Sequence, residues 1–479
     1  MNDNLFASIM DAIEKTKPVI ERIGLEVWNE AELSQVELKS AQIHIRELEA
    51  AGFKLISMGT CGYQAAFIAE WSQGEGGAKV GFLPEYDALP GLGNEAVTEQ
   101  KPRGNGNTNG HGCGHNQIGA ACTGAAITLK KLMEKDSIAG TIRVYGCAAE
   151  EKEGVKPQMA RDGFFNDLDG ALAFHPAPFA IAGHVRTAAV NHIEIEFFGK
   201  TAHAGVSPWE GRSALHAAEL FAHGLNLMRE HVEPTTRIQY IIQSGGLATN
   251  VVTDYATIRL ATRDQDRKRV EAVTEWARQV AEGAAMATQT RAEFRVLFGL
   301  YDLLPNGPLI ESLHANMQRV GLPKWTEEEQ AFARACQKGM NVPEKGMATN
   351  VILVPTEKTV GGGTDVGDVS WVTPTCAFGF PTLPLGVSLH TWAATACGGM
   401  SIGVKGGIAA AAIMAATGYE LMTDTKLREA ARADFEKRTA GRTYVCAIPA
   451  SQVGPSSMAN SESKVGSDEM LYHPDSEAD

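Results

Sequence analysis

A glycine-rich loop at residues 110–116, with the sequence GHGCGHN, carries side chains that could bind a metal ion. Cys113 and His115 are two residues apart, and thiolate and imidazole groups both bind zinc and similar metals. The glycines allow the backbone to bend so that both side chains face one point. His111 is a third candidate, although we expect it to be a loop or supporting residue. Taken alone, the pattern is equally compatible with a flexible loop that contains an incidental histidine.

Two adjacent carboxylates, Glu150 and Glu151, follow the apolar strand pattern TIRVYGC. Burying two unpaired carboxylates is costly, and a bound cation would remove that cost. One carboxylate could then bind the metal while the other accepts a proton from an activated water. Taken alone, the run EEKE fits a solvent-exposed acidic turn at least as well.

Three further polar residues lie where strands or loops end. His175 follows the apolar run ALAF, His390 lies in LPLGVSLHTW, and Asp87 lies in PEYDALPG. Alone, each histidine is also compatible with a core residue, and Asp87 could either orient a metal-bound imidazole or cap a turn.

Considered together, five side chains of metal-ligand type occupy loop or strand-end positions: Cys113, His115, Glu151, His175 and His390. A hydrolytic site with two metals about 3.5–4 Å apart and one bridging ligand needs about this number. The sequence therefore predicts a two-metal hydrolytic site.

The pattern of strands and helices predicts how these residues are positioned. Short apolar strands alternate with helices up to about residue 190, which is typical of an α/β domain with a mostly parallel sheet. Ligands bind beyond the carboxyl ends of such strands. From 191 to 300 the strands alternate with period two, which predicts an inserted α+β unit with an antiparallel sheet. Residues 301–447 return to the first domain, and we expect 448–479, rich in Ser, Asp, Glu and Asn, to form a disordered tail.

The composition excludes some classes of function. The 479 residues include 43 Lys and Arg against 57 Asp and Glu, a net charge of −14, which argues against binding nucleic acids or anionic membranes. The longest apolar stretch contains Lys405 and several glycines, which favours a buried helix over a membrane span. With no secretory signal pattern at the start and eight scattered cysteines, we expect free thiols and a cytoplasmic protein.

The order of motifs along the chain resembles the M20 metallopeptidase family, and within it the amidohydrolase branch, subfamily D. The motifs are PEYDALPG, GHGCGHN, GCAAEEKEG, FHPAP, FFGKTAHAGVSPWEGRSAL, SGGLATNVV, GTDVGDVSW and LHTW, within about residues 5–445. One departure is Glu85, which stands where family members with an HxD motif have a histidine.

The resemblance implies two divalent ions, zinc or manganese, bound by the five ligand-type side chains. Cys113 would bridge the ions and His115 would be a terminal ligand, oriented by Asp87. Glu151 and the two later histidines would complete the ligand sets, and Glu150 would be the general base. The fold implied is a metal-hydrolase catalytic domain with an inserted lid and dimerisation domain.

In that lid, the resemblance implies that His203 stabilises the oxyanion or polarises the scissile carbonyl, usually from the partner subunit. Asn250 and Arg263 would hold the substrate, and Arg263 is suited to a carboxylate. The glycine loop before Asp365 would line the pocket. Dimerisation through 191–300 would then be a requirement for catalysis.

Several functions remain open under this resemblance. The first is hydrolysis of an N-acyl amino acid, with an aromatic acyl group on glutamate or aspartate as the favoured substrate. The others are hydrolysis of an auxin conjugate, a hippurate or another aromatic amide, release of ammonia from an aromatic amine, and a non-catalytic partner subunit. The last is disfavoured because neither the base nor any predicted ligand is missing. The active unit could be a homodimer or a heteromer with a sister subunit.

Overall fold

The computed structural model describes residues 3–456. The strands are β1 (Lys54–Met58), β2 (Phe67–Gln73), β3 (Ala78–Phe82), β4 (Gly140–Gly146), β5 (Gly170–Ala177), β6 (Ala180–Arg186), β7 (Ala189–Phe198), β8 (Arg237–Ser244), β9 (Tyr255–Asp264), β10 (Arg291–Leu300), β11 (Val351–Thr359) and β12 (Thr375–Pro381). The helices are α1 (Asp3–Glu30), α2 (Leu38–Ala50), α3 (His115–Asp136), α4 (Lys156–Arg161), α5 (Ala214–Met228), α6 (Arg267–Thr288), α7 (Gly307–Val320), α8 (Glu327–Gly339), α9 (Val366–Ser370), α10 (Trp392–Gly398), α11 (Ser401–Thr423) and α12 (Thr425–Thr439).

The larger sheet has eight strands in the order β1-β2-β4-β3-β5-β12-β6-β11. Its centre, β4-β3-β5-β12, is parallel, whereas β1-β2-β4 and β12-β6 pair antiparallel. Strand β5 is buried along almost its whole length, as its apolar sequence GALAF predicts for a central parallel strand. The predicted α/β class with a mostly parallel sheet is confirmed.

Helix α11 is the one helix within residues 3–456 that is long and apolar enough to cross a membrane. However, 83% of its apolar window is buried inside the protein. It packs against α1, α3 and α7 and against β3 and β5 of the large sheet. The helix is therefore part of the core, as the sequence predicted.

A second sheet of four antiparallel strands, in the order β10-β7-β9-β8, forms the inserted unit. Its apolar side chains, such as Ile193, Ile195 and Phe197 of β7, form a core with α5 and α6, which pack together on the sheet. The period-two pattern thus corresponds to one covered and one open face. The inserted α+β unit is confirmed, while the domain boundaries given above stay predictions.

Residues 448–456, the beginning of the expected disordered tail, contact the larger domain. Ile448 is buried, and the Gly454 amide donates to the Cys61 carbonyl at 2.8 Å. The amide and hydroxyl of Ser456 donate to the Glu153 carboxylate at 2.6 and 2.8 Å. The buried Ile448 and these hydrogen bonds therefore hold the segment against the larger domain. The remainder of the predicted tail, 457–479, lies outside the described residues.

Candidate active site

The predicted site forms at the carboxyl ends of neighbouring parallel strands. The loop after β3 carries Glu85 and Asp87, the loop after β4 carries Glu150 and Glu151, and His175 lies near the end of β5. Since these three strands are adjacent in the order β4-β3-β5, their loops meet at one edge of the sheet. This is the position at which parallel sheets bind ligands.

Two loops bring the remaining candidates to the same edge. Gly114, at a φ of 76°, precedes helix α3, which begins at His115. A Cβ atom on Gly114 would lie 2.8 Å from Cγ of Pro176, so the turn requires glycine. The backbone amide of His390 donates to the carbonyl of Gly112 at 2.8 Å. This bond ties the two loops that carry predicted metal ligands to each other.

The imidazole of His115 is buried and has one partnered and one unpartnered nitrogen. Nδ1 lies 2.8 Å from Oδ1 of Asp87, so in the neutral ring the proton lies on Nδ1 and the lone pair on Nε2. Nε2 has no hydrogen-bond partner and lies 3.6–3.7 Å from carboxylate oxygens of Glu85, Glu150 and Glu151. Burial acts to lower the pKa of His115, but the neighbouring Cys113 and Asp87 outweigh it and raise that pKa well above its ordinary value. The position of Nε2 therefore favours a cation, either a proton on the ring or a metal ion beside it.

The other ligand-type side chains complete this cluster. Sγ of Cys113 lies 3.5 Å from Nε2 of His175, whose Nδ1 donates to the carbonyl of Pro176 at 2.9 Å. Nε2 of His390 lies 3.3 Å from Oε1 of Glu151. Each histidine thus directs a ring nitrogen toward the thiol or the carboxylates, which is the arrangement expected of metal ligands.

Three groups of donor atoms each lie within 4.8 Å of one another. They are Cys113–His115–His175, Cys113–Glu151–His390 and Glu85–His115–Glu150. The first two groups together contain the five predicted ligands and have only Cys113 in common, so Cys113 is the side chain that could serve two ions. The donor set and the unpartnered Nε2 of His115 therefore fit two divalent ions.

The electrostatics of the cluster reflect its burial and its excess of carboxylates. Burial, reinforced by the neighbouring Glu85 and Asp365, raises the pKa of Glu150 well above its ordinary value. Burial also acts to raise the pKa of Asp87, but the His115 imidazole outweighs it and lowers that pKa to about 2. Asp87 is therefore a carboxylate at neutral pH, which fixes the tautomer of His115.

A cavity of 330 Å³ opens beside the cluster. One side is formed by predicted ligands, including Cys113 and His390, together with Glu150. Much of the remaining lining is apolar and comes from β5, β6 and β12, with Phe174, Ile181 and Phe378 among the residues. Gly362 and Gly363 of the glycine loop also line it, as predicted.

The lid residues lie apart from the cavity within one chain. His203 pairs with Val251 in an isolated β-bridge, and the Ala204 amide donates to the Asn250 carbonyl, so His203 and Asn250 are neighbours. Neither lines the cavity. Arg263, on β9, donates to the carbonyl of Gly361 at 3.0 Å and therefore contacts the glycine loop next to the cavity.

Four buried residues outside the set of predicted site residues contact the site: Glu37, Glu85, Lys156 and Asp365. Glu85 gave a weak signal, because it lies two residues before Asp87 in the strand-end motif. Lys156 gave none, since EEKEGVK has the composition of a surface turn. Only the fold shows that its ammonium group is enclosed.

Glu37 supports the turn that precedes Glu150, and its removal has a predictable cost. Ala149 adopts a φ of 62°, and its amide donates to Glu37 at 2.6 Å. Burial raises the pKa of Glu37 to about 8. We expect Glu37→Ala to lower the free energy of unfolding by about 1–3 kcal/mol, because the amide loses its buried acceptor. Glu37→Gln keeps a carbonyl oxygen and should be less destabilised in urea unfolding; equal losses would contradict this role.

Comparison with known proteins places this site in a family. Residues 187–288 match the peptidase dimerisation domain of the M20 family. The chain is 34% identical to one of the subunits of p-aminobenzoyl-glutamate hydrolase of Escherichia coli, over 93% of this chain and 98% of that protein. It is 28% identical to Xaa-Arg dipeptidase of mouse, over 76% and 77% of the two chains.

A solved structure shares the fold. A dinuclear metal-binding peptidase of the M20 family from Bacillus subtilis superposes with a TM-score of 0.54 at 19% identity, covering 84% of this chain and 98% of that one. The present chain belongs to the M20 peptidase family. It is an amidohydrolase, a hydrolase of amide bonds.

Proposed function

We propose that the protein is a dinuclear metal-dependent amidohydrolase that releases an amino acid from an N-acyl amino acid with an aromatic acyl group, such as p-aminobenzoyl-glutamate. The observation that carries the proposal is the unpartnered Nε2 of His115, which faces three carboxylates at the edge of a cavity. The similarity to the p-aminobenzoyl-glutamate hydrolase of Escherichia coli over almost the whole chain supports the substrate class.

The five predicted ligands would hold the two ions, with Cys113 shared between them. Divalent ions bound there would supply Lewis acidity and acidify a water molecule. The thiolate ligand favours zinc, while the carboxylates are also compatible with manganese. Asp87 keeps the lone pair of His115 directed toward the cluster by accepting the proton of Nδ1.

Glu150 is the group placed to move the proton. It lines the cavity, and its Oε2 is 3.7 Å from Nε2 of His115. Burial raises the pKa of Glu150, and the positive charge of bound divalent ions would counter that effect and keep the group ionised. As general base it would then remove a proton from the attacking water, and as general acid it would return the proton to the leaving nitrogen. The amide then separates into the acid and the free amino acid.

The apolar lining of the cavity and the neighbouring Arg263 suit the two ends of such a substrate. Phe174, Ile181 and Phe378 offer apolar surface to an aromatic acyl group. Arg263 next to the glycine loop offers a guanidinium group to a carboxylate of the released amino acid. A glutamate product has two carboxylates, either of which the Arg263 guanidinium could bind.

Replacing Arg263 with Ala should therefore raise KM for carboxylate substrates by about tenfold or more, since hydrogen bonds to charged groups contribute about 1.5–3 kcal/mol. The matching side-chain amides should be affected less, because they carry no charge there. Arg259→Ala on the same strand is the control, since Arg259 pairs with Glu194. Equal rises in KM for acids and amides would remove Arg263 from carboxylate recognition.

The lid would complete the site from a second subunit. The lid exposes Val206, Trp209 and Leu247, which lie near His203 and Asn250 in the sequence. Exposed apolar clusters of this kind mark association surfaces, and the match to a dimerisation domain lies over the same residues. We propose a homodimer in which His203 and Asn250 reach the partner's cavity. Two different subunits of the Escherichia coli hydrolase are similar to this chain, so a heteromer with a sister subunit remains the alternative.

A substrate panel tests the proposal. The purified chain is offered p-aminobenzoyl-glutamate, hippurate, an indole-acetyl amino acid, an Xaa-Arg dipeptide and an aromatic amine, and both amino acid and ammonia release are measured. We expect the highest kcat/KM for p-aminobenzoyl-glutamate, with glutamate as product. A preference for the Xaa-Arg dipeptide, or ammonia as the product, would contradict it. The cytoplasmic location stays a prediction.

A further inference from the structure

Lys156 is a fully buried lysine whose ammonium group lies behind the candidate metal cluster. It is the first residue of helix α4, five residues after Glu151. Its Nζ donates to Oε1 of Glu85 and to Oδ1 of Asp365, both at 2.6 Å. The two carboxylates come from distant parts of the chain, 71 and 209 residues away. The ammonium group thus joins the start of helix α4 to the segments that carry Glu85 and Asp365.

The first partner links Lys156 to the metal cluster. Glu85 uses Oε1 for the lysine, and its other oxygen, Oε2, lies 3.6 Å from Nε2 of His115. Because the lysine fixes one oxygen, the orientation of the second toward the cluster is fixed as well. Glu85 and Glu150 belong to the same group of close donor atoms.

The second partner links Lys156 to the wall of the cavity. Asp365 directly follows the glycine loop, of which Gly362, Gly363 and Thr364 line the cavity. Oδ2 of Asp365 is buried without a hydrogen-bond partner, so the contact of Oδ1 with the lysine is its main anchor. A Cβ atom on Gly154 would lie 2.1 Å from Oδ2. Glycine at 154 is therefore required for Asp365 to approach.

Stability alone does not explain this arrangement. Buried ion pairs are often no more stabilising than apolar residues of the same volume, because desolvation offsets the attraction. Each contact of Lys156 instead fixes a group that faces the reaction site. The ion triad of Lys156, Glu85 and Asp365 connects the candidate metal cluster to the glycine loop that lines the cavity.

We propose that Lys156 is a positioning residue: through Glu85 it orients the metal-binding cluster, and through Asp365 it holds the glycine loop that forms the wall of the substrate cavity. This inference rests on the proposed function, since it assigns the two partners to metal binding and substrate binding. It predicts that loss of the contact with Glu85 weakens metal binding, whereas loss of the contact with Asp365 raises KM.

The experiment replaces Glu85 and Asp365 separately and measures metal affinity and KM for each variant. Glu85→Gln and Asp365→Asn each leave Lys156 one carboxylate, so both variants should fold. Affinity for Zn²⁺ and for Mn²⁺ is measured by calorimetry on the metal-free proteins, and KM and kcat are measured with the best substrate of the panel. We expect Glu85→Gln to weaken metal binding by about 10–100-fold, the typical effect of losing a group that supports metal ligands. We expect Asp365→Asn to raise KM several-fold and to change metal affinity less than twofold.

Three further variants complete the design. Gly154→Ala should raise KM as Asp365→Asn does, because it displaces the same carboxylate. Lys156→Met should weaken metal binding and raise KM, because both contacts are lost. Lys405→Met is the matched control, since Lys405 pairs with the buried Glu329 away from the cavity; it should lower only the melting temperature.

The inference is overturned if Glu85→Gln and Asp365→Asn lower the melting temperature but leave metal affinity and KM unchanged, as a purely structural triad would. A wild-type chain that binds neither metal would refute the proposed function instead, and this inference with it. The calorimetric comparison needs no substrate. If no substrate is found, the metal affinity of Glu85→Gln relative to the wild type still decides the inference.

Discussion

Replacing Glu150 with Gln is expected to reduce kcat by about 10²–10⁴-fold, the usual contribution of a general acid–base group. Glutamine occupies nearly the same volume but cannot accept and return a proton at neutral pH. We place Glu150 outside the five-ligand set, so the variant should retain the metal content of the wild type. Turnover and metal content are measured on the same samples.

A nearby carboxylate provides the control for this prediction. Glu153, three residues further along the loop, is also buried, but it binds Ser456 of the C-terminal segment. Glu153→Gln should reduce stability and leave kcat close to that of the wild type. Turnover retained in Glu150→Gln would refute its role as the base, and a loss of metal in that variant would assign it to the ligands.

Replacing His203 with Ala is expected to lower kcat by about 10²–10³-fold, the cost of removing one oxyanion donor. Mixing two inactive variants tests whether the general base Glu150 and the oxyanion donor His203 of one site come from different subunits. If His203 acts on the partner's site, an inactive Glu150→Gln subunit supplies its His203 to the intact Glu150 of an inactive His203→Ala subunit. Each mixed dimer then contains one complete site.

An equal mixture of the two inactive variants, dissociated and reassociated, should therefore recover about a quarter of the wild-type activity, because about half of the dimers are mixed and each has one working site of two. The control is each variant treated alone, which should remain inactive. No recovery in a mixture that demonstrably forms mixed dimers would show that His203 acts within its own chain or not at all.

The large sheet and the lid were predictable from the sequence because their strands carry clear periodic patterns. The apolar strands β4 and β5 were expected within a few residues of their observed limits, and alternating strands were expected in the lid from 191 to 300. The edge strand β11 was not, because VILVPTEKT is mostly exposed and polar in its second half. Strand β11 buries only Val354, so it has no continuous buried face that would impose a period.

The candidate site was predictable where a residue belongs to a local motif. Cys113 and His115 lie in one loop and Glu150 and Glu151 are adjacent, so their spacing indicated the chemistry. The partners of Lys156 are 71 and 209 residues away, and no local pattern joins them. Supporting contacts of this type depend on the tertiary fold and become visible only there.

Metal-dependent hydrolysis is tested by measuring metals per chain and turnover of p-aminobenzoyl-glutamate on the same samples, before and after treatment with a chelator. We expect about two zinc or manganese ions per chain, as a two-metal hydrolytic site requires. Removal should abolish glutamate release, and added Zn²⁺ or Mn²⁺ should restore it. Full turnover by chains that retain no metal would contradict the proposed mechanism.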